Sequence, residues 1–231
     1  MKKLFGAVVV VLCCSVAAPA ADVAELVKQL KDKEAEKRRE AAEALGKAGK
    51  DARDAVPALI AALKDSDLFV RLFSTVSLGQ IGEDPKTVIP ALTGILNNSR
   101  EKKEVQEAAI KSLEQLGAGS VQPLADVAKD TKKEAALRRK AIIALGKLGS
   151  EAKSTVPMLT ELVPTKTKTG KPAMNRDNEL RVEAINALGE IATMNDKETV
   201  DLFTEMLAEK GGDRNVRMAL TKALAKIKNR K

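Results

Sequence analysis

Aromatic side chains are almost absent from this sequence. Among 231 residues there are four phenylalanines and neither tryptophan nor tyrosine. A globular core of this size normally depends on the bulk of aromatic rings. Alanine, leucine, valine and isoleucine must fill the core instead, which favours helices that pack closely against each other. The scarcity of rings also counts against single-stranded nucleic acid as a ligand, because base stacking needs aromatic platforms.

Histidine is missing altogether, and the only two cysteines are Cys13 and Cys14. These absences exclude His-based catalytic triads, His general bases and HExxH-type zinc sites. Neither GxxxxGK[ST] nor GxGxxG occurs, so no phosphate-binding loop is visible. Carboxylates are numerous, but none stands apart from the lysines and arginines around it. The sequence therefore predicts no catalytic residue, no metal site and no cofactor, and we expect the protein not to be an enzyme.

The first 21 residues have the pattern of a signal peptide. Two lysines precede an apolar stretch from Leu4 to Val16, and a run of small residues follows it. This stretch is short for a permanent anchor, so no stable membrane span is expected in the mature protein. We expect residues 1–21 to be cleaved and the mature protein to be periplasmic or extracellular. A lipid anchor on one of the cysteines is a weaker alternative, since neither follows the small residue that a lipobox requires.

A short apolar motif recurs six times along the rest of the chain. Its central residues are Leu45, Leu78, Leu113, Leu145, Leu188 and Leu224, at spacings of 33, 35, 32, 43 and 36 residues. A second marker recurs with nearly the same period, at Pro57, Pro90, Pro123 and Pro157. Because two independent markers share one period, the sequence predicts internal structural repeats.

The residue pattern of each repeat predicts a helical hairpin. Small or apolar residues mostly stand eight, four and one before each central leucine and three after it, which places them on one stripe of a helix. The proline is expected near the start of the first helix, and glycine after most second helices, at Gly49, Gly82, Gly117 and Gly149. Such a hairpin can bury its stripe only by stacking on its neighbours. We place the repeats at about 22–50, 53–83, 86–118, 119–150, 153–193 and 196–230.

The period and these residues resemble the HEAT family, in particular the short HEAT-like repeats also found in phycobilisome lyases. The resemblance covers about residues 22–230. Its sharpest mark is an arginine seven residues before each central leucine, at Arg38, Arg71, Arg138, Arg181 and Arg217, with Gln106 as the exception. The resemblance implies an all-α fold, a right-handed α-solenoid of six HEAT-like helical hairpins.

An acidic residue stands four positions before each of these arginines, at Glu34, Asp67, Glu134, Asp177 and Asp213. Where the arginine is replaced by Gln106, the acid is replaced by Lys102. An acid near a helix N-terminus followed by an arginine one turn later is a favourable pair. The resemblance implies that these acids and arginines form a structural ladder between successive repeats. The alternative is a row of five arginines that binds an acidic ligand.

The formal net charge of +8 raises the question of nucleic acid. The basic residues, however, alternate with acids along the chain rather than clustering. Alternation of this kind is typical of solvated helix faces. No specific binding of nucleic acid is therefore expected.

The second helix of repeat two is the first candidate for a binding surface. It carries Leu68, Leu72, Phe73 and Val76, with Phe69 beside them, where most second helices are polar. Two interpretations are open: additional packing between repeats, or an exposed apolar patch that a protein partner binds. In HEAT solenoids the second helices usually line the concave side, which is compatible with the second interpretation.

The second candidate is the insertion in repeat five, residues 164–176, which accounts for the 43-residue spacing. Its basic residues are Lys166, Lys168, Lys171 and Arg176. Insertions in repeat proteins map to loops on one edge, often a binding edge. The alternative is a tolerated surface loop, because long insertions cost little closure entropy.

Taken together, these features predict an exported scaffold that mediates protein–protein interaction through its concave groove and the repeat-five loop. The partner's identity does not follow from the sequence. The resemblance to lyases suggests an alternative, a lyase-like or chaperone-like accessory protein that holds a prosthetic group or client in the groove. Covalent or aromatic capture of a chromophore is disfavoured by the lack of Tyr, Trp and His and by the position of the cysteines.

Overall fold

The computed structural model describes residues 22–164, 177–209 and 212–230. Within these ranges the regular structure is helical, with no strand. The α-helices are α1 (Val23–Gln29), α2 (Ala35–Ala48), α3 (Val56–Ala62), α4 (Leu68–Ile81), α5 (Pro85–Asn97), α6 (Lys103–Gln115), α7 (Val121–Lys129), α8 (Ala135–Leu148), α9 (Val156–Glu161), α10 (Asn178–Ile191), α11 (Lys197–Ala208) and α12 (Arg214–Asn229). Short 3-10 segments precede three of them, at Gly49–Ala55, Gly117–Ser120 and Gly149–Thr155.

The helices pair in chain order into six hairpins, each made of an odd-numbered first helix and an even-numbered second helix. Each second helix also packs on the second helix of the next hairpin, so the hairpins stand in one row. The predicted all-α solenoid is confirmed. The predicted signal peptide, 1–21, lies outside the described residues. In the ranges that are described, no helix is long and apolar enough to cross a membrane.

The repeated stripe forms the core of this row. All six central leucines are buried, as are the residues four positions before them, Ala41, Ser74, Ala109, Ala141, Ala184 and Leu220. The largest fully buried side chain is Phe203, on the first helix of the last hairpin. A continuous core built from small aliphatic side chains explains how the chain folds with so few aromatic rings.

The second helices are held in a fixed register by hydroxyl groups. Ser77 donates a hydrogen bond of 2.7 Å to the carbonyl oxygen of Ala42 on the preceding second helix. Ser112 donates one of 2.8 Å to the carbonyl oxygen of Thr75 in the same way. In both cases the donor is the residue directly before a central leucine. The acceptor is the residue three positions before the central leucine of the preceding repeat. Equivalent positions of α2, α4 and α6 therefore lie side by side.

The row is curved, and the second helices line its inner side. Successive second helices pack closely along their length, whereas successive first helices make few contacts with each other. Because the spacing between hairpins is tighter on the side of the second helices, that side is concave. Exposed positions of α2, α4 and α6 consequently face the groove.

The turns agree with the sequence in part. Gly49, Gly82, Gly117 and Gly149 all have positive φ at the ends of second helices, as predicted. Pro57 and Pro157 lie in the first turns of α3 and α9, also as predicted. The prediction is wrong for Pro90, which lies inside α5, because Pro85 begins that helix one and a half turns earlier.

Candidate functional site

The second helix of repeat two presents apolar side chains toward the groove. We call Phe69, Leu72, Phe73 and Val76 the α4 patch. Phe69 is 46% exposed, and the other three side chains are half-buried. Leu72 and Phe73 also pack against the core, as does neighbouring Leu68. The residues of this helix therefore support the stack and also leave an apolar surface open to solvent.

Phe69 is held in place by contacts on two sides. The guanidinium of Arg39, on α2, lies 5.1 Å from the centre of the Phe69 ring. On the other side, the rings of Phe69 and Phe73 are 6.4 Å apart in a tilted arrangement. Arg39 is itself fixed by Asp67, whose carboxylate accepts a hydrogen bond of 2.8 Å from Nε. Cation–π and ring–ring contacts of this kind restrain an exposed ring, so the α4 patch is preorganised.

Asp67 joins the patch to the start of its own helix. Its carboxylate accepts hydrogen bonds from the backbone N–H groups of Phe69 and Val70, which makes it the N-cap of α4. The hydrogen bond from Arg39 and these N–H groups hold the pKa of the Asp67 carboxyl well below its usual range, against the opposing effect of burial. Asp67 is therefore ionised at neutral pH, and it takes up a proton only at a lower pH than an ordinary aspartate does.

The arginine positions of the repeat have a shared structural role. Each side chain there donates a hydrogen bond to a backbone carbonyl in the last turn of its own first helix or just after it. The pairs are Arg38–Asp32, Arg71–Asp65, Gln106–Asn98, Arg138–Ala128, Arg181–Val163 and Arg217–Leu207, at 2.7–3.0 Å. Gln106 thus does what the arginines do. Because the last carbonyls of a helix lack intrahelical partners, these bonds close the hairpin.

The predicted pairing of an arginine with the acid four positions before it is not found in the first repeat. Arg38 contacts Asp65 of the next repeat, at 2.7 Å, rather than Glu34. Glu34 instead lies 3.2 Å from Lys37. The reason is the direction of the arginine side chain. Arg38 points toward the turn of its own hairpin, where the acid within reach is Asp65 of the next repeat.

Ion pairs between successive repeats occur in several other places, with partners that the sequence pattern did not identify. Arg71 binds Glu101 at 2.9 Å, and Glu134 is bound by Lys103 at 3.3 Å. Asp177 accepts a bond of 3.2 Å from Arg139, and Asp213 accepts one of 3.3 Å from the amide of Asn178. Asp177 and Asp213 also cap α10 and α12, as Asp67 caps α4.

Two of the arginines are too deeply placed to bind a ligand. Arg138 and Arg181 are 7% and 6% exposed. Burial lowers the pKa of both guanidinium groups from the ordinary value, and the neighbouring carboxylates oppose that shift only in part. The alternative of a row of arginines that binds an acidic ligand is thus not supported at these two positions.

The sequence carries one signal for the Arg39–Asp67 contact. Arginine doublets occur at Arg38-Arg39 and again at Arg138-Arg139. In each doublet the first arginine closes its own hairpin, and the second reaches the capping aspartate of the next repeat. The second candidate, with Lys166, Lys168, Lys171 and Arg176, lies outside the described residues.

Two open grooves are also present in the described part of the chain. One, of about 650 Å³, lies between α3 and α5 on the convex side, where Ile60, Leu63 and Ile95 form its apolar wall. The other, of about 360 Å³, lies between α8 and α10 beside Ile143. Among the described residues, no group of three or more Cys, Asp or Glu side chains is placed to hold a metal ion.

Comparison with known proteins identifies the family. A family model described as HEAT repeats matches residues 23–114 and 90–169, which is more than half of the chain. The chain belongs to the HEAT-repeat family. The resemblance seen in the sequence is thereby confirmed. No curated protein matches this HEAT-repeat chain.

Solved structures with the same fold include three informative cases. An engineered protein shares 23% identity with a TM-score of 0.55, over 89% of this HEAT-repeat chain and 96% of its own. The complex of CpcE and CpcF of phycocyanin lyase from Nostoc sp. PCC7120 shares 22% identity with a TM-score of 0.55, over 96% of this chain and 80% of that one. Importin beta shares 16% identity with a TM-score of 0.65, over 89% of this chain and 30% of that one. At these identities the likeness shows the fold alone.

Proposed function

We propose that this protein is an exported scaffold that binds a protein partner on its concave surface, at the α4 patch. The observation that carries the proposal is an exposed, restrained phenylalanine in a chain that has almost no aromatic residues. Phe69 is one of four phenylalanines, yet 46% of it remains in contact with solvent. An apolar surface on the inner side of a curved repeat protein is a common position for a partner.

The surroundings of Phe69 also suit binding. The ring of Phe73 and the guanidinium of Arg39 fix its orientation before any partner arrives, which lowers the entropy lost on association. Aromatic side chains in such positions commonly supply much of the affinity of an interface. Leu72 and Val76 extend the same surface by two turns along α4, so that a partner segment of similar length has apolar contacts throughout.

The first experiment compares two double variants in crosslinked capture from the exported fraction. Leu72→Asp with Val76→Asp places two charges in the α4 patch and should abolish capture of the partner. Val182→Asp with Asn186→Asp is the matched control, because these residues occupy the same two positions in repeat five. Circular dichroism of both variants establishes that helicity is retained. If the α4 variant loses its fold, the two side chains are essential to the core and the proposal is wrong.

The repeat-five segment belongs to the same proposal. In the sequence its basic residues follow the first helix, α9, and precede the second helix, α10, and insertions of this kind in repeat proteins often bind partners. Reversing the charge of Lys166, Lys168, Lys171 and Arg176 together should weaken capture without changing the melting temperature. Unchanged capture would restrict the binding surface to the groove.

Export is the part of the proposal that the sequence alone supports. The test is the mass and location of the protein produced from the full chain. We expect the product in the periplasm or the medium, shortened by about the first 21 residues. A full-length product in the cytoplasm would contradict this part and leave the binding surface unaffected.

A further inference from the structure

We infer that the α4 patch receives a basic amphipathic helix of the partner protein. This inference rests on the proposed function and adds the chemistry of the partner. It follows from the charges that stand on either side of the patch, at the same register positions of α2 and α6.

The register fixes which side chains are neighbours of the patch. The hydrogen bonds of Ser77 and Ser112 align α2, α4 and α6. The four positions of the α4 patch are occupied on α2 by Glu36, Arg39, Glu40 and Glu43, and on α6 by Glu104, Glu107, Ala108 and Lys111. The patch is thus flanked by five carboxylates and two cations. This excess of negative charge contrasts with the net charge of +8 of the whole chain.

Ion pairs remove some of these charges from consideration. Arg39 is engaged by Asp67, Glu43 by Lys47, and Glu107 by Lys140 of α8. Three exposed carboxylates remain without an ion pair to any residue that the structure describes: Glu36, Glu40 and Glu104. We call these three the acidic frame.

Lys111 is the exception among the side chains that flank the α4 patch, because it carries a positive charge without an ion pair to any described residue. It is exposed, and in the described part of the chain it forms no ion pair. It stands at the level of Val76, one end of the patch, whereas the acidic frame stands at the level of Phe69 and Phe73. The negative charge therefore borders the aromatic end of the patch.

The space between the acidic frame residues of α2 and α6 has room for one helix. Packed helices lie about 8–10 Å apart, so the frame residues on α2 and α6 stand on helix axes about 16–20 Å apart, with α4 between them. A helix with its side chains is about 10–12 Å across. A helix that rests its apolar face on Phe69, Leu72 and Phe73 would carry lysine or arginine side chains outward on both sides. Those long side chains reach the carboxylates of the acidic frame while the helix body covers the patch.

A partner with an acidic polar face is disfavoured by the same geometry. Its carboxylates would come close to Glu36, Glu40 and Glu104, and like charges brought together in a partly desolvated groove repel. An uncharged apolar segment would cover the patch but would leave the three carboxylates partly buried without a partner. Of the three kinds of partner, the basic helix alone satisfies both the apolar surface and the acidic frame.

The experiment uses the mature chain and two fluorescent helical peptides of about 18 residues, long enough to hold a helix. Both peptides have leucine at the same i, i+3, i+4, i+7 positions. The remaining positions are mainly lysine in one and mainly glutamate in the other. We expect the lysine peptide to bind at least about tenfold more tightly at about 0.1 M salt, and to lose most of that advantage at about 0.5 M.

Charge reversal of the acidic frame provides the decisive comparison. Glu36→Lys, Glu40→Lys and Glu104→Lys together should reverse the preference between the peptides. The matched control is Asp51→Lys, Asp201→Lys and Glu205→Lys, which makes the same charge change at exposed positions off the second helices. The control should keep the wild-type preference. Equal binding of the two peptides, a preference for the glutamate peptide, or no binding of either overturns the inference.

The same measurement separates this inference from the proposed function. If Leu72→Asp with Val76→Asp abolishes binding but the two peptides bind equally well, the α4 patch is a binding surface and only the chemistry of the partner is wrong. If the lysine peptide binds with the same affinity to that double variant, its site lies elsewhere, and both the inference and the use of the α4 patch are refuted.

Discussion

Gly79 of α4 lies directly against Ser112 of α6. A Cβ atom placed on Gly79 would stand 2.7 Å from the Cα atom of Ser112, closer than any side chain tolerates. The same relation holds between Gly189 and Ala223, at 3.0 Å. The glycine after the central leucine therefore permits second helices to approach each other closely. This close approach produces the curvature that forms the groove.

Substitution of Gly79 should reveal this contact. Gly79→Ala should lower the free energy of unfolding by about 1–3 kcal/mol, because α4 and α6 must move apart. Gly94→Ala is the matched control, since Gly94 lies inside α5 and a Cβ there meets no atom within 4 Å. That substitution should stabilise the protein by about 0.5–1 kcal/mol through helix propensity. Urea unfolding measures both, and equal effects at the two glycines would disprove the close approach.

The periodic features of the sequence were sufficient to predict the fold. The central leucines and the small residues around them share one stripe of each second helix. A hairpin can bury this stripe only by stacking on its neighbours. The helix boundaries were harder to predict from the sequence. Pro90 was expected at a helix start, but α5 begins earlier, at Pro85, so that Pro90 lies inside the helix on its exposed side.

The candidate surface could be predicted only in part. Apolar residues on the second helix of repeat two were evident, but their exposure depends on the curvature and on contacts of α4 with its neighbours. The role of Arg39 illustrates the difficulty. Its partners, Asp67 and Phe69, lie about 30 residues away in the next repeat, and helical periodicity identifies neighbours only within one helix.

Asp67 should make the stability of α4 dependent on pH. Its folded-state pKa is lowered, so its contribution is present above the unfolded value of about 3.9 and is lost as the pH falls through the lower folded value. Asp67→Asn retains an N-cap but removes the ion pair with Arg39. Wild type should therefore be more stable than this variant at pH 7, and the difference should shrink between about pH 5 and pH 2.

Asp67→Ala is the companion variant for that measurement. It removes the cap as well as the charge, so it should be less stable than Asp67→Asn by about 1 kcal/mol, largely independently of pH. Thermal melts across the pH range give both differences. A constant difference between wild type and Asp67→Asn would show that the ion pair with Arg39 contributes nothing.

Arg138 can be tested against the natural replacement at Gln106. Arg138 donates from Nε to the carbonyl oxygen of Ala128, and the amide nitrogen of glutamine stands the same number of bonds from Cα. Arg138→Gln should therefore keep the hydrogen bond and avoid a buried charge, at a cost below about 1 kcal/mol. Arg138→Met leaves the carbonyl of Ala128 unpaired and should cost about 1–3 kcal/mol. Equal losses in urea unfolding would mean that the hydrogen bond is not what stabilises the hairpin.

The contact between repeats three and four should be the first interior contact of the solenoid to open. Glu114 stands where the other repeats have Gly46, Gly79, Gly146 and Gly189, with Ala225 in repeat six. Its carboxylate binds Lys147 across the repeat boundary at 3.1 Å, and α6 packs less extensively on α8 than other successive second helices do on each other. A surface ion pair replaces only part of the lost apolar contact.

Native-state hydrogen exchange measures that opening directly. Helices in the middle of a stack normally exchange most slowly because both of their faces are covered. We expect the amides of α6 to exchange at least about tenfold faster than those of α4 and α10, although all three helices are interior. The difference should grow at high salt, where the Glu114–Lys147 pair is screened. Protection that is uniform from α4 to α10 would show instead that the boundary between repeats three and four is as stable as the others.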